Sequence, residues 1–197
     1  MEELLIPEAP AWISRLTNIA EINREFLIGL ECFRQSETSS ADRKPAPLQV
    51  LPENIPLELQ ECPQWLCWKY DWNGKKWTKP PYNPKGFKVS KTNPQHYSSF
   101  AKVLEAYRKG DFDGIGFVLT AADPFVAIDI DHCLEGGVLS AEAQSIIKRM
   151  DSYTEISPSG NGIRIFVKGS IPRNIHTAIE MYDHDSYVTV TGQRWLS

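Results

Sequence analysis

The chain has 197 residues, of which 42% are hydrophobic and 23% are charged, and its formal net charge is −4. These values predict one globular domain with a short appendage, and they exclude a disordered, collagen-like or membrane-spanning chain. No secretory signal pattern opens the sequence and the four cysteines lack zinc-binding spacing, so we expect a cytoplasmic protein.

The first part of the chain differs in composition from the rest. Apolar side chains recur every three or four residues between positions 12 and 33, which predicts an amphipathic helix. Residues 36–53 are rich in Ser, Pro, Ala and charge, which is typical of a flexible linker. We therefore expect a helical appendage over 1–35, a linker over 36–53 and a main domain over 54–197.

The main domain begins with a basic, aromatic block. Residues 62–92 contain seven lysines, one acidic residue and four of the six tryptophans. Asn73-Gly74 predicts a two-residue hairpin turn, which would place Asp71 opposite Lys76 as an ion pair. The block indicates either a surface for an anionic partner or a solvated hairpin with ordinary core tryptophans. Lys79 would lie on the aromatic face, where it could contact a buried anion.

The remaining elements alternate between helices and short strands. Ser98 or Ser99 caps a helix that begins near Phe100 and ends at Gly110, and Ser140 caps a second helix. Strands are predicted over Gly114–Leu119, Phe125–Asp131, Tyr153–Ile156, Ile163–Lys168, Ala178–Tyr182 and Tyr187–Thr191. Because strands outnumber helices and hairpins are frequent, we expect an α+β domain with a mixed or mostly antiparallel sheet.

Acidic residues interrupt two of the apolar strands. Asp129 and Asp131 end the strand that begins at Phe125, and alternation places both on one face, roughly 6–7 Å apart. Hard divalent cations take carboxylate oxygens, so this pair is a candidate metal site; the alternative is a strand that runs into a solvated turn. Glu180, between apolar neighbours, is a candidate third ligand or a solvent-facing edge residue.

A glycine- and serine-rich loop separates two of the strands. Residues 157–162 read Ser-Pro-Ser-Gly-Asn-Gly, a composition that leaves backbone amides accessible to phosphate oxygens. In the strand that follows, Arg164 and Lys168 share one face. The pattern favours phosphate binding over the alternative of a plain hairpin turn.

Four motifs occur in order along the domain. They are Phe-Asp-Gly-Ile-Gly-Phe-Val-Leu-Thr, Ala-Ile-Asp-Ile-Asp-His-Cys, Ser-Tyr-Thr-Glu-Ile-Ser-Pro-Ser-Gly-Asn-Gly, and Ile-Glu-Met-Tyr-Asp followed by Tyr-Val-Thr-Val-Thr-Gly. Together they resemble the N-terminal bifunctional primase–polymerase (prim-pol) domain of phage and plasmid replication proteins, within the archaeo-eukaryotic primase superfamily. The resemblance covers about residues 54–193.

The resemblance implies an RRM-like palm fused to an N-terminal α/β unit, with a nucleotide held between them. Asp129 and Asp131 match the family's first metal-binding pair and Glu180 its third acidic position, which implies catalysis with Mg²⁺ or Mn²⁺. The positions that match the nucleotide-phosphate motif are Ser157, Ser159, Gly160, Gly162 and Arg164. Lys79 resembles a basic residue in the same strand of relatives.

The implied activity is template-dependent nucleotidyl transfer, as a DNA primase or polymerase, in the replication of a phage, plasmid or other mobile element. The implied partners are nucleoside triphosphates, single-stranded or primed template DNA, and a helicase or other replication protein.

One position departs from the family. Many members have histidine where Arg164 stands; arginine can hold phosphates but cannot exchange a proton. A catalytically impaired module that binds nucleotide or single-stranded DNA is therefore the alternative function. A metal-dependent nuclease or a nickase is a third reading, although a nickase needs clustered histidines and the four here are scattered.

Overall fold

The computed structural model describes residues 5–11, 13–15, 43–177 and 179–196. Most of the predicted N-terminal helix therefore lies outside the described residues, and Ile13–Arg15 form a single 3₁₀ turn. None of the described helices is long and apolar enough to cross a membrane.

The described residues form three α-helices and a larger set of short strands. The helices are α1 (Leu57–Glu61), α2 (Phe100–Arg108) and α3 (Ala141–Met150), with further 3₁₀ turns at Pro52–Asn54 and Pro94–His96. In chain order the strands are β1 (Trp65–Trp68), β2 (Asp71–Trp72), β3 (Trp77–Thr78), β4 (Pro81–Tyr82), β5 (Gly114–Leu119), β6 (Phe125–Ile130), β7 (Leu134–Glu135), β8 (Val138–Leu139), β9 (Thr154–Ile156), β10 (Ile163–Lys168), β11 (Ile175–His176), β12 (Ile179–Tyr182) and β13 (Ser186–Val190).

The strands form two main sheets and two small ribbons. One sheet has the order β13-β5-β1-β4 and the other the order β11-β12-β6-β10-β9, while β2-β3 and β7-β8 pair separately. Every pairing between these strands is antiparallel. The predicted α+β class with mostly antiparallel sheets is confirmed.

The five-stranded sheet has two different faces. Val126, Ile128 and Ile130 of β6 belong to an apolar cluster with Ala143 and Ile146 of α3. The alternate residues of β6 and β10 contribute instead to a second cluster, which includes β1, β5, β13 and α2. Because alternation sends successive side chains to opposite faces, the face away from α3 looks towards the four-stranded sheet.

The two longer helices begin near the predicted serines. The Ser140 hydroxyl accepts a hydrogen bond from the Ala143 amide at 3.2 Å, and Asp151 ends α3 in the left-handed region. Ser99 precedes α2 without a side-chain capping bond. The amphipathic pattern, rather than a cap, is therefore sufficient to predict α2.

Residues 43–53 pack on the domain. Lys44 pairs with Asp113 at 2.8 Å, and the amides of Leu48 and Leu51 donate to backbone carbonyl groups of the domain at 3.1 and 2.8 Å. Val50 is buried. This differs from the flexible linker that composition predicts, because backbone groups in this segment find partners; residues 36–42 lie outside the described part.

The predicted two-residue turn at Asn73 is wrong. Trp72 pairs with Trp77, so the loop spans residues 73–76. The Asn73 side-chain oxygen accepts hydrogen bonds from the amides of Lys75 and Lys76 at 3.0 and 2.9 Å, which stabilises the longer loop.

The changed register also removes the predicted ion pair. Asp71 lies opposite Thr78 rather than Lys76. Its carboxylate pairs instead with Lys88, at 2.9 Å.

Candidate active site

A row of polar side chains crosses the five-stranded sheet on the face away from α3. Asp129 of β6 pairs with Glu180 of β12 on one side and with Arg164 of β10 on the other. Arg164 pairs in turn with Glu155 of β9, and Glu180 with His176 of β11. Because directly paired residues project to the same face, these five side chains form one line, which we call the polar row.

Asp129 and Arg164 form a buried ion pair at the centre of the polar row. Nε and Nη2 of Arg164 lie 3.1 and 2.9 Å from Oδ2 of Asp129. Nη1 donates to the backbone oxygen and the hydroxyl of Thr189 on β13. All three guanidinium nitrogens of Arg164 are thus engaged by protein groups, which leaves this residue little capacity for the phosphate contact that the sequence predicts.

The second oxygen of Asp129 has a different environment. Oδ1 is buried and has no hydrogen-bond partner among the described residues. A buried carboxylate oxygen without a donor is costly unless a ligand or ion completes it. Burial opposes the charge on Arg164, but Asp129 and Glu155 outweigh it and keep the pKa of Arg164 raised.

Glu155 is a member of the row that the sequence reasoning missed. It is fully buried, and its carboxylate accepts hydrogen bonds from the amides of Thr191 and Gly192, the shortest at 2.8 Å, and from the Tyr153 hydroxyl at 2.8 Å. Burial raises its pKa, and the amide donors and Arg164 oppose that effect. The sequence does carry one indication of a role for Glu155, because a charged residue stands there inside a predicted strand.

Glu180 is oriented by its neighbour two residues along β12. The Tyr182 hydroxyl donates to Oε2 of Glu180. The ring of Tyr182 contacts the ring of His176, with centroids 5.3 Å apart. Burial and the Glu180 carboxylate raise the pKa of Tyr182, so Tyr182 remains a hydrogen-bond donor.

The glycine-rich loop, residues 157–162, lies beside the end of β6. A Cβ atom placed on Gly162 would be 2.8 Å from the Ile130 carbonyl oxygen and 3.3 Å from Cα of Asp131. The ring of His132 lies 3.2 Å from the side-chain nitrogen of Asn161. The structure therefore brings the loop and the exposed Asp131 together.

The loop is held by its own hydrogen bonds and leaves several amides available. The amide of Ser157 donates to Gly162 and the amide of Gly160 to Ser157, at 2.8 and 2.9 Å. The hydroxyl oxygens of Ser157 and Ser159 lie 2.9 Å apart. Within the described ranges, the amides of Ser159, Asn161 and Gly162 donate no hydrogen bond to a protein group; Ser159 is exposed, Asn161 is half-buried and Gly162 is buried.

Lys79 interacts electrostatically with the polar row. It follows β3 and is half-buried. Burial lowers its pKa, the positive charge of Arg164 lowers it further, and Asp129 and Asp131 oppose these effects. Lys79 is therefore close enough to these three residues to respond to their charges.

Lys168 is not brought to the same place. It lies at the opposite end of β10, across from Phe125, and its ammonium group pairs with Glu58 at 2.6 Å. Four residues of strand separate it from Arg164, roughly 13 Å. The predicted phosphate contact of Lys168 has no counterpart in this arrangement.

The carboxylates of Asp129, Asp131 and Glu180 are suitable ligands for a divalent cation, but the three do not lie close together. In the part of the chain that the structure describes, no three His, Cys, Asp or Glu side chains are close enough to hold a metal ion. Arg164 occupies one oxygen of Asp129, Tyr182 binds Glu180, and Asp131 lies beyond the strand end. The unpartnered Oδ1 of Asp129 beside Glu180 still offers the hard oxygen ligands that Mg²⁺ and Mn²⁺ prefer.

Comparison with known proteins agrees with the motifs. No family model matches the chain. The chain is 38% identical over 146 residues to a protein named DNA primase-polymerase from Nitratiruptor phage NrS-1, and the match covers 68% of this chain and 20% of that relative. The chain thus spans about a fifth of the length of the relative. The predicted resemblance is confirmed, and the chain belongs to the primase–polymerase family of phage and plasmid replication proteins.

Proposed function

We propose that this domain catalyses template-directed nucleotidyl transfer to DNA during replication of a phage, plasmid or other mobile element. The observation that carries the proposal is the carboxylate of Asp129. It stands in register with Glu180 on one side and Arg164 on the other, and it keeps one buried oxygen without a partner. The name of the phage relative supports the same reaction class.

Asp129, Asp131 and Glu180 would hold Mg²⁺ or Mn²⁺. Such ions, when bound, activate the primer 3′-hydroxyl and neutralise charge on the triphosphate. Arg164 orients the Asp129 carboxylate through Oδ2 so that Oδ1 stays available. Tyr182 orients Glu180 in the same way.

Two sets of protein groups would bind the triphosphate. Backbone amides of residues 157–162 that have no protein acceptor would donate to phosphate oxygens. Lys79, which interacts with the charges of Asp129 and Arg164, would supply a positive charge. Arg164 then acts by positioning Asp129, not by direct phosphate contact.

The topology supports the RRM-like palm. Four strands of the five-stranded sheet, β6, β9, β10 and β12, follow one another in the chain in that sequence. Across the sheet they lie in the order β12-β6-β10-β9, which is 4-1-3-2, and α3 connects β6 to β9. This order is that of the split β-α-β arrangement to which RRM folds belong. The four-stranded sheet with α2 would then be the N-terminal unit.

A second candidate function rests on the ion pair itself. Arg164 competes with any cation for Asp129, because Oδ2 already accepts two charge-assisted hydrogen bonds. A domain in which this pair persists would bind nucleotide or single-stranded DNA without transferring nucleotides.

Primer extension separates the two functions. We expect the full chain to extend a primed template with Mg²⁺ or Mn²⁺, tested with each nucleotide set on primed and unprimed DNA. Asp129→Asn and Glu180→Gln should each lower the rate at least about a hundredfold, the scale of losing a preorganised charge-stabilising group. Circular dichroism would confirm that both variants remain folded.

Glu135→Gln is the matched control, since Glu135 is an exposed carboxylate on β7 that is not part of the polar row. Its rate should equal that of the unsubstituted chain. Nucleotide binding without incorporation under either metal would establish the second function, and full extension by Asp129→Asn would contradict the site.

A further inference from the structure

Two neighbouring hairpin tips project from the basic block. The first is residues 73–76, between β2 and β3, and the second is residues 83–87, closed by a bridge between Tyr82 and Lys88. We call these two loops, together with Trp72 and Lys88 beside them, the twin-tip surface. The salt bridge from Lys88 to Asp71 at 2.9 Å joins one hairpin to the other.

Both tips have the same internal construction. The Asn73 side chain accepts hydrogen bonds from the amides two and three residues further on, and the Asn83 side chain from those two and four residues further on. Gly74 and Gly86 both have φ of +92°, a conformation that favours glycine. The tips are therefore held by specific local bonds and present fixed side-chain positions.

Each tip exposes one aromatic ring. Trp72 is 40% exposed and Phe87 is 66% exposed, although both are large apolar side chains. Trp72 ends a continuous series of ring contacts that starts in the core. The centroid distances in that series are 5.2 Å for Trp68–Tyr70, 6.4 Å for Tyr70–Trp77 and 5.5 Å for Trp77–Trp72. The core thus anchors the outer ring, so a ligand that stacks on it loses little side-chain entropy.

Lysines surround these rings. Lys75, Lys76, Lys85 and Lys88 are exposed, and the single acidic residue of the block, Asp71, is already paired with Lys88. Exposed rings beside free ammonium groups match a ligand that has flat apolar faces and a phosphate backbone. Duplex DNA has its base faces stacked internally, and an acidic peptide has few flat faces, so neither uses both features.

We propose that the twin-tip surface binds single-stranded template DNA, with bases stacked on Trp72 and Phe87 and phosphates on the lysines. The proposal rests on the proposed nucleotidyl transfer, because that reaction needs a template strand. Lys79, which interacts with the charges of Asp129 and Arg164, directly follows β3 of the first hairpin.

Binding of a fluorescent oligo-dT strand to the full chain tests this surface, by anisotropy in EDTA and without nucleotide. Trp72→Ala and Phe87→Ala should each weaken affinity at least about fivefold, the lower limit for loss of one stacked base. Lys75→Ala and Lys85→Ala should each reduce the slope of log K against log salt by about 0.7. Affinity for a duplex of the same length should change less than twofold in the two aromatic variants.

The chain offers matched controls on its other side. Val138 is 68% exposed at the tip of the β7–β8 ribbon, and Lys148 is exposed on α3. Val138→Ala and Lys148→Ala should leave oligo-dT affinity and its salt slope unchanged. Equal melting temperatures would show that all the variants are folded.

The outcomes distinguish the surface from the reaction. Unchanged oligo-dT affinity in Trp72→Ala and Phe87→Ala would contradict single-stranded DNA binding at the twin-tip surface, whether or not the chain extends primers. Equal weakening for duplex and single strands also overturns it, since stacking would then not be the cause. Weakened single-strand binding alone supports the surface even if the chain extends no primer.

Discussion

At the scale of single residues, the most consequential contact is the pair between Asp129 and Arg164. It fixes the orientation of the carboxylate through Oδ2 and leaves Oδ1 buried and unpartnered. Alternation along β6 and β12 was sufficient to predict that Asp129 and Glu180 are candidates for one site. The pairing with Arg164 was not predictable, because it depends on the register between β6 and β10 and on Thr189 from the other sheet.

Arg164→His tests the role of this pair. Histidine cannot contact both Asp129 and Thr189 as the guanidinium fork does, so we expect slower primer extension and lower stability than in the unsubstituted chain. A histidine beside Asp129 would have a pKa above its unfolded value of about 6.5. Its stabilising effect would be present below that pH and lost as the pH rises through the folded pKa.

Urea unfolding at pH 6 and pH 8 measures this effect, with the unsubstituted chain as reference because its arginine stays charged at both. Equal stability losses at the two pH values would contradict a charge contact with Asp129. Faster extension by Arg164→His would instead favour the impaired-module function for the natural chain.

At the scale of elements, long apolar strands were predictable and short polar ones were not. β5 and β10 have the bounds that their patterns predict, because six apolar or alternating residues determine a strand. The two-residue strands β7, β8 and β11 carry too little periodicity to be recognised. The predicted loop length at Asn73 was wrong for another reason. Hydrogen bonds to the Asn73 side chain stabilise a four-residue loop in place of the two-residue turn.

The glycine-rich loop depends on the close approach of Gly162 to β6. Gly162→Ala would place a Cβ atom 2.8 Å from the Ile130 carbonyl oxygen, so the loop must move away from Asp131. We expect a stability loss of about 1–3 kcal/mol and weaker triphosphate binding, measured by urea unfolding and calorimetry.

Gly137→Ala controls for general strain, since Gly137, at the turn between β7 and β8, has φ of +81° and open space around its Cβ position. It should lose stability without loss of triphosphate affinity. Equal affinity losses in the two variants would show that the loop has no special role in nucleotide binding.

At the scale of the whole molecule, both main sheets contribute to the polar row. The row lies on the five-stranded sheet, and Thr189 of β13, in the four-stranded sheet, binds Arg164. Lys79, in the segment after β3, interacts with the charges of the row. The excess of predicted strands over helices, together with the frequent hairpins, predicted the α+β class, and the motifs predicted the family. Glu155 escaped prediction because its partners, Thr191 and Gly192, lie more than thirty residues away along the chain. The ion pair of Lys168 with Glu58, at the far end of β10, was not predictable for a related reason, because the two residues are far apart in the sequence.

Mn²⁺ binding to the full chain, in the presence of a nucleoside triphosphate, tests whether Asp129 and Glu180 are metal ligands. The free Mn²⁺ signal in electron paramagnetic resonance reports binding without requiring activity. We expect the unsubstituted chain and Glu135→Gln to bind Mn²⁺. Asp129→Asn and Glu180→Gln should bind it at least about tenfold more weakly, the scale on which changes at a metal site act. Unchanged Mn²⁺ affinity in Asp129→Asn and Glu180→Gln would show that these two carboxylates do not bind the metal.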